Sequence, residues 1–203
     1  MSEETPARKP TLYILSAPSG GGKSSLARAL VERAQDTVTS VSHTTRPQRT
    51  GETHGVDYFF VDQSEFEQMI KDDGFLEYAR VFDHWYGTSR KAVEQAIVQD
   101  RSVMLDIDWQ GARQVRRAFP GAVSVYILPP SVEALAQRLA DRGRDTPDEI
   151  ASRLSEAASE MSHYDEYDQF LINTNFDAAL GELEALVCRG EAPQSGQGFN
   201  VGT

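Results

Sequence analysis

The residues Ala17-Pro18-Ser19-Gly20-Gly21-Gly22-Lys23-Ser24 have the types and spacing of a loop that holds phosphate. Glycines let successive backbone N–H groups converge on one point without Cβ clashes. Those amides, with the positive end of a following helix, form a seat for an anion. Lys23 adds a mobile cation, and the Ser24 hydroxyl is a ligand for Mg²⁺. Such a string also occurs as an ordinary glycine-rich turn with a surface lysine, so its context decides. The general pattern starts with Gly where this chain has Ala17, which alanine tolerates at negative φ.

Other residues of chemical interest are scattered further along. Ser42, Thr44, Arg46 and Arg49 lie in one polar stretch, with the two arginines three positions apart. Guanidinium forks beside hydroxyl donors suit a phosphate dianion, whereas a solvated arginine loop is the plainer reading. Glu77 sits in a strand-like run, and on pattern alone could be an exposed strand residue. Asp106 and Asp108 end an apolar strand, where they could face a ligand or cap the next helix. Arg138, Arg142 and Arg153 flank a joint containing Gly143, and read on their own as i,i+4 ion-pair partners on exposed helices.

The elements that must position these groups follow from periodicity. Leu12–Leu15 reads as a buried strand, and Ser25–Val31 as a helix with Leu26, Leu30 and Val31 on one face. Val56–Val61 and Phe75–Phe82 read as strands, and His84–Thr88 as an aromatic turn. Ser64 with Glu67 forms a capping box for a helix to about Lys71, and Ser89 caps one to about Gln99. Val103–Asp108 and Val123–Leu128 are continuous buried strands. Ser131 caps a helix, Thr146-Pro147-Asp148-Glu149 starts another, and Gln169–Asn173 is a last strand before the helix opened by Asn175. Continuous apolar strands alternating with helices give an α/β fold with a central parallel sheet covered on both faces, a three-layer arrangement. The strand-rich block 42–88 interrupts that rhythm and reads as an inserted substrate-binding subdomain.

The 203 residues suit one domain, and the formal net charge of −11 argues against nucleic acid and anionic membranes as partners. Anionic ligands must therefore be met by local basic clusters. Cys188, the single cysteine, excludes an internal disulfide and reads as a small apolar filler near a helix end. Residues 1–10 form a polar, flexible N-terminus without the apolar centre of a signal peptide, and 190–203 a Gly/Gln/Ser-rich flexible tail. The expected location is cytoplasmic. Either a monomer or a homo-oligomer is compatible with this composition. His43, His54, His84 and His163 are scattered and carry no catalytic pattern.

Taken jointly, the phosphate loop, Ser42-x-Thr44-Thr45-Arg46, Arg49-x-Gly51-Glu52, Tyr58, Glu77, Tyr86-Gly87-Thr88, Leu105-Asp106-Ile107-Asp108 and the Arg138/Arg142/Arg153 set resemble the guanylate kinases. These P-loop nucleoside monophosphate kinases transfer the γ-phosphoryl group of ATP to GMP in purine nucleotide metabolism. The resemblance covers about residues 11–189. It implies a core of 11–41, 89–130 and 165–189, a GMP-binding insert at 42–88 and a helical lid at about 131–164. It implies that residues 17–24 hold ATP, with Lys23 catalytic and Asn173 near the adenine. Ser42, Arg46, Arg49, Tyr58 and Tyr86 would hold the GMP phosphate, Arg46 also serving catalysis. Glu77 and Thr88, helped by Ser42 and Asp108, would read the guanine edge. Ser24 and Asp106 would hold Mg²⁺, the expected cofactor beside ATP. Arg138, Arg142 and Arg153 would meet the phosphates when the lid closes. Two departures stand out: Pro47 is displaced by one position from the usual Thr-Arg-x-Pro-Arg, and Asn173 is followed by Thr174 rather than Asp. The rivals are another nucleoside monophosphate kinase, which would have no use for Glu77, and a non-catalytic phosphopeptide-binding module, which would not need an intact Gly22-Lys23-Ser24.

Overall fold

A computed structural model describes residues 9–81, 83–141 and 146–196. Five strands, β1 (Leu12–Ser16), β2 (Thr37–Thr39), β7 (Ser102–Asp106), β8 (Val123–Leu128) and β9 (Gln169–Ile172), form one sheet in the order β2-β7-β1-β8-β9. All its pairings are parallel. Along β1, side chains alternate between two buried faces. Tyr13 and Leu15 pack with Leu26, Leu30, Leu180 and Leu183 from helices α1 (Lys23–Arg33) and α7 (Phe176–Arg189). Leu12 and Ile14 pack on the other side with Val93, Ala112 and Val115 from α3 (Arg90–Val98) and α4 (Trp109–Ala118). A parallel strand covered on both sides must be apolar throughout, which is why these runs are continuous.

The second sheet is built from residues 43–89. Its strands are β3 (His43–Thr44), β4 (Phe59–Phe60), β5 (Phe75–Val81) and β6 (His84–Ser89), in the order β4-β3-β6-β5. Its middle is aromatic: His43 stacks on Phe59 at 4.7 Å, and Phe66 of α2 (Gln63–Lys71) stacks on Phe75 at 4.5 Å. Helices α5 (Val132–Asp141) and α6 (Pro147–Met161) pack together through Leu135, Leu139 and Ala157.

Several local expectations are corrected. His84–Thr88 is a strand, not a turn: β5 and β6 pair antiparallel with Val81 opposite His84, so the chain reverses before the aromatic run. The strand expected over Val56–Val61 shrinks to Phe59–Phe60. Its first half is a turn, with Asp57 N–H donating to Thr53 O and the Asp57 carboxylate accepting from Thr53 N–H. Helix α2 is capped by Asp62, which accepts from Glu65 N–H at 2.8 Å, and not by Ser64, whose hydroxyl donates to Asp62. Cys188 is exposed, because it lies on α7 beyond the face that Leu183 and Val187 bury. The segment expected to be loose from residue 190 is packed as far as Gly196. Ser195 bonds both the Glu182 carboxylate and Ile172 N–H there. Strands β2 and β3 carried no expectation and are only 3 and 2 residues long.

Candidate functional site

The phosphate loop leaves β1 and enters α1 as its motif requires. Gly21 N–H closes a turn on Pro18 O at 2.8 Å. Gly22 is the N-cap of α1 in the left-handed region at φ 93°, where a Cβ would also meet Asn173 Nδ2. No side chain caps this helix and no acidic residue occupies its first turn. Its leading N–H groups are thus left for an anion, at the positive end of the helix dipole. Behind the loop, Asn173 donates to Gly21 O at 3.0 Å and is buried.

Lys23 reaches from the start of α1 to the end of β7. Its Nζ lies 2.8 Å from the Asp106 carboxylate and donates to Ile107 O at 2.9 Å. Burial works against the ammonium charge, but the Asp106 carboxylate outweighs it and holds the Lys23 pKa above its ordinary value. Lys23 is therefore fully charged, extended along the floor of the site.

Opposite the loop stands the insert. A cleft of about 300 Å³ separates them, lined by residues 17–24 on one wall and by Ser42, Arg49, Tyr58, Glu77 and Tyr86 on the other, with Asp106, Asp108 and Arg153 between. Glu77 is 3% exposed and accepts a 2.5 Å hydrogen bond from Thr88 Oγ1. Burial pushes its carboxyl up to about 7, against the pull of the Thr88 bonds, with the Asp108 charge adding to the rise. The Tyr58 phenol is also raised, by burial first and then by Asp106. Asp108 does cap α4, accepting from Gly111 N–H at 2.9 Å, and still lines the cleft.

Four expected site residues are not on the cleft wall. Arg46 is buried and held by the Glu52 carboxylate at 2.8 and 3.0 Å and by Pro47 O at 2.7 Å. Its guanidinium lies 5.4 Å from the Tyr58 ring centre. Thr88 stands behind Glu77. Arg138 donates from Nη2 to Asn173 O at 2.6 Å, while its Nη1 is buried without a hydrogen-bond partner. Asn173 supports the loop from behind. Arg142 lies outside the described residues.

The cleft also contains residues that motif reading passed over: Ser25, Ala79, Val81, Ile107 and Glu160. Glu160 is the most consequential. Its carboxylate accepts from Ser19 N–H at 3.0 Å, while Arg153, two turns earlier on α6, donates to Ser19 Oγ at 3.0 Å. Both ends of Ser19 are thus held by one helix. Burial pushes the Glu160 carboxyl up against the Ser19 amide, which pulls it down. The only sequence signal was seven-residue spacing, two helical turns, which puts residues 153 and 160 on one face of α6.

A phosphate loop at the end of β1 in a parallel, doubly covered sheet, facing an aromatic and arginine-bearing insert across one cleft, defines a P-loop phosphotransferase. Comparison with known proteins narrows this. The family model described as guanylate kinase matches residues 9–189. The guanylate kinase of Methylococcus capsulatus is 57% identical over 176 residues, covering 87% of this chain and 86% of that protein. That of Escherichia coli K12 is 54% identical over 179 residues, covering 87% and 86%. The crystal structure of guanylate kinase from Anaplasma phagocytophilum superposes with a TM-score of 0.76 at 33% identity, covering 91% of this chain and 88% of that one. The chain belongs to the guanylate kinase family.

Proposed function

We propose that the protein catalyses ATP + GMP ⇌ ADP + GDP, with the phosphate loop as donor wall and the insert at 42–88 as acceptor wall. The observation that carries this reading is the cleft itself, which sets Lys23 and the free amides of α1 across from Ser42, Arg49, Tyr58, Glu77 and Tyr86. The named relatives are guanylate kinases, and the loop is intact, which favours catalysis over phosphopeptide binding.

Each residue then has a task. Residues 17–24 hold the ATP phosphates, and Lys23 neutralises the β- and γ-phosphate oxygens. Ser42, Arg49, Tyr58 and Tyr86 take the GMP phosphate, with Arg46 reaching it from its seat on Glu52. Glu77, oriented by Thr88, accepts from the N1–H and N2–H₂ donors of guanine, with Asp108 beside it. Adenine lacks that donor pair and would leave a buried carboxylate unpaired, a mismatch that can discriminate by on the order of 10⁴. The GMP phosphate oxygen attacks the γ-phosphorus in line, and the ADP oxygen leaves. Alignment and charge neutralisation carry this step without a covalent enzyme intermediate.

Residues 131–164 act as the lid, which excludes water that would otherwise accept the phosphoryl group. Arg153 acts from α6, and Arg138 brings the unpartnered Nη1 as a donor for a phosphate; Arg142 completes the set. Asn173 serves the ATP side by fixing the loop at Gly21. Ser24 and Asp106 fit Mg²⁺. They offer a hydroxyl and a carboxylate to the same cleft, and this ion takes few protein oxygens beside phosphate oxygens and water. Bound there, the ion would supply charge neutralisation for the nucleotide phosphates. Among the described residues, no helix is long and apolar enough to cross a membrane.

The test is an ADP-release assay with ATP, Mg²⁺ and GMP, AMP, UMP, CMP or TMP in turn. Turnover with GMP alone is expected. Comparable turnover with AMP or a pyrimidine monophosphate would contradict the reading.

A further inference from the structure

Gly111 lies in the first turn of α4, where glycine is a poor helix residue and nothing in the backbone demands it. Its φ is not in the left-handed region, unlike that of Gly20, Gly22, Gly51, Gly55 and Gly190. Its N–H is already satisfied by Asp108. The reason for glycine is steric. A Cβ at this position would lie 3.0 Å from Glu77 Cδ and 3.4 Å from Glu77 Cγ, and would overlap Oε2.

Glu77 has nowhere to retreat. Its other oxygen is fixed by Thr88, and β5 places the residue among buried neighbours, with Leu76 and Ala79 also inside. Nearly one turn beyond Gly111, the middle of α4 is tied to β5 by Gln114, whose side-chain amide donates to Tyr78 O at 2.7 Å and accepts from Tyr78 N–H at 3.2 Å. The helix cannot slide away without breaking that pair. A side chain at 111 must therefore turn the carboxylate, not move the helix.

We infer that Gly111 is a specificity-determining position: its missing Cβ makes the space in which the Glu77 carboxylate lies flat against α4 and faces the purine of the acceptor. This rests on the guanine-reading role of Glu77 proposed above. The helix retains a destabilising residue so that the base-reading carboxylate can be both buried and correctly aimed. Gly111 touches no substrate; it is a positioning residue.

The experiment is a double-mutant cycle of the full chain: wild type, Gly111→Ala, Glu77→Ala and Gly111→Ala/Glu77→Ala. Each is measured for melting temperature without ligand and, where active, for GMP and ATP KM. Gly111→Ala is expected to lower the melting temperature in the wild-type background. In the Glu77→Ala background, where the clash is gone and alanine favours the helix, it should raise it. Gly111→Ala should raise the GMP KM at least tenfold and leave the ATP KM within twofold. Equal melting shifts in both backgrounds, or an unchanged GMP KM, would overturn the inference. If Gly111→Ala does not fold, folding restored by the second substitution supports the clash, and continued failure of the double variant overturns it. The melting cycle needs no substrate. A wild type inactive on GMP therefore overturns the proposed reaction, and with it the specificity role, while the steric pairing of Gly111 with Glu77 is judged separately.

Discussion

The two walls of the cleft are made differently. On the donor wall, the groups that face a ligand are mostly backbone: the amides at the start of α1, held by a turn at Pro18–Gly21, a left-handed Gly22 and a buried sheet behind. On the acceptor wall they are side chains, carried by a sheet in which two strands are two residues long. Ion pairs hold the elements behind it. Arg46, which lies off the cleft wall, is fixed by Glu52, and Asp57 of the insert pairs with Arg28 of α1 across the joint between the two regions. A backbone site is preset by the fold. A side-chain site is set by ion pairs, and on the proposed reading an incoming phosphate would have to share or replace them. Damage to the donor wall should thus appear in the chemical step, and damage to the acceptor wall in GMP affinity.

The strongest test of that contrast is Lys23→Ala. Removing a half-buried, prepositioned cation should lower kcat by about 10²–10³-fold in the ADP-release assay, with an unchanged far-ultraviolet circular dichroism spectrum. Next, Arg46→Lys should raise the GMP KM by about tenfold, because an ammonium cannot span Glu52 and Pro47 O as the two nitrogens Nη2 and Nη1 do, nor keep a planar cation beside Tyr58. A KM unchanged by this variant would mean that Glu52 does not position the arginine for substrate. Smaller still, Glu160→Gln, which keeps an acceptor for Ser19 N–H but loses its charge, should raise the ATP KM by about tenfold or less and leave the GMP KM alone. Equal effects on both substrates would blur the division between the walls.

A pH dependence sharpens the comparison at Glu77. Its carboxyl is raised in the folded protein to about 7, against an ordinary value of 4.5. The folded chain therefore holds this proton more tightly than the unfolded chain. The resulting stabilisation is fully present below the ordinary value and is lost as pH rises through about 7. Melting temperatures of wild type and Glu77→Gln should converge or cross over that interval, with wild type losing ground as pH rises. Parallel curves would show that Glu77 is not buried as described.

Much of the donor wall was legible in the sequence, because a phosphate loop is a local motif between a continuous apolar strand and an amphipathic helix. The acceptor wall was legible through residue types but not through conformation. His84–Thr88 looked like a turn since its aromatic and glycine content has no clear period, yet pairing with β5 makes it a strand. The sequence pattern made Arg46 a candidate for phosphate, whereas its seat on Glu52 depends on the fold of a loop with a displaced proline. Glu160 and Gly111 were out of reach for the same reason. Each matters through one contact with a residue far away in the chain, Ser19 and Glu77 respectively, and long-range contacts leave no local pattern.

The central claim, that base recognition belongs to the acceptor wall and is separate from the phosphate chemistry, is tested most directly by steady-state kinetics of Glu77→Gln, with GMP varied at saturating ATP and then the reverse. The predicted result is a fall of about 10–100-fold in kcat/KM for GMP, the scale of a lost hydrogen bond to a charged group, with the ATP KM unchanged. An unchanged kcat/KM for GMP, or an equal loss for both substrates, would contradict it.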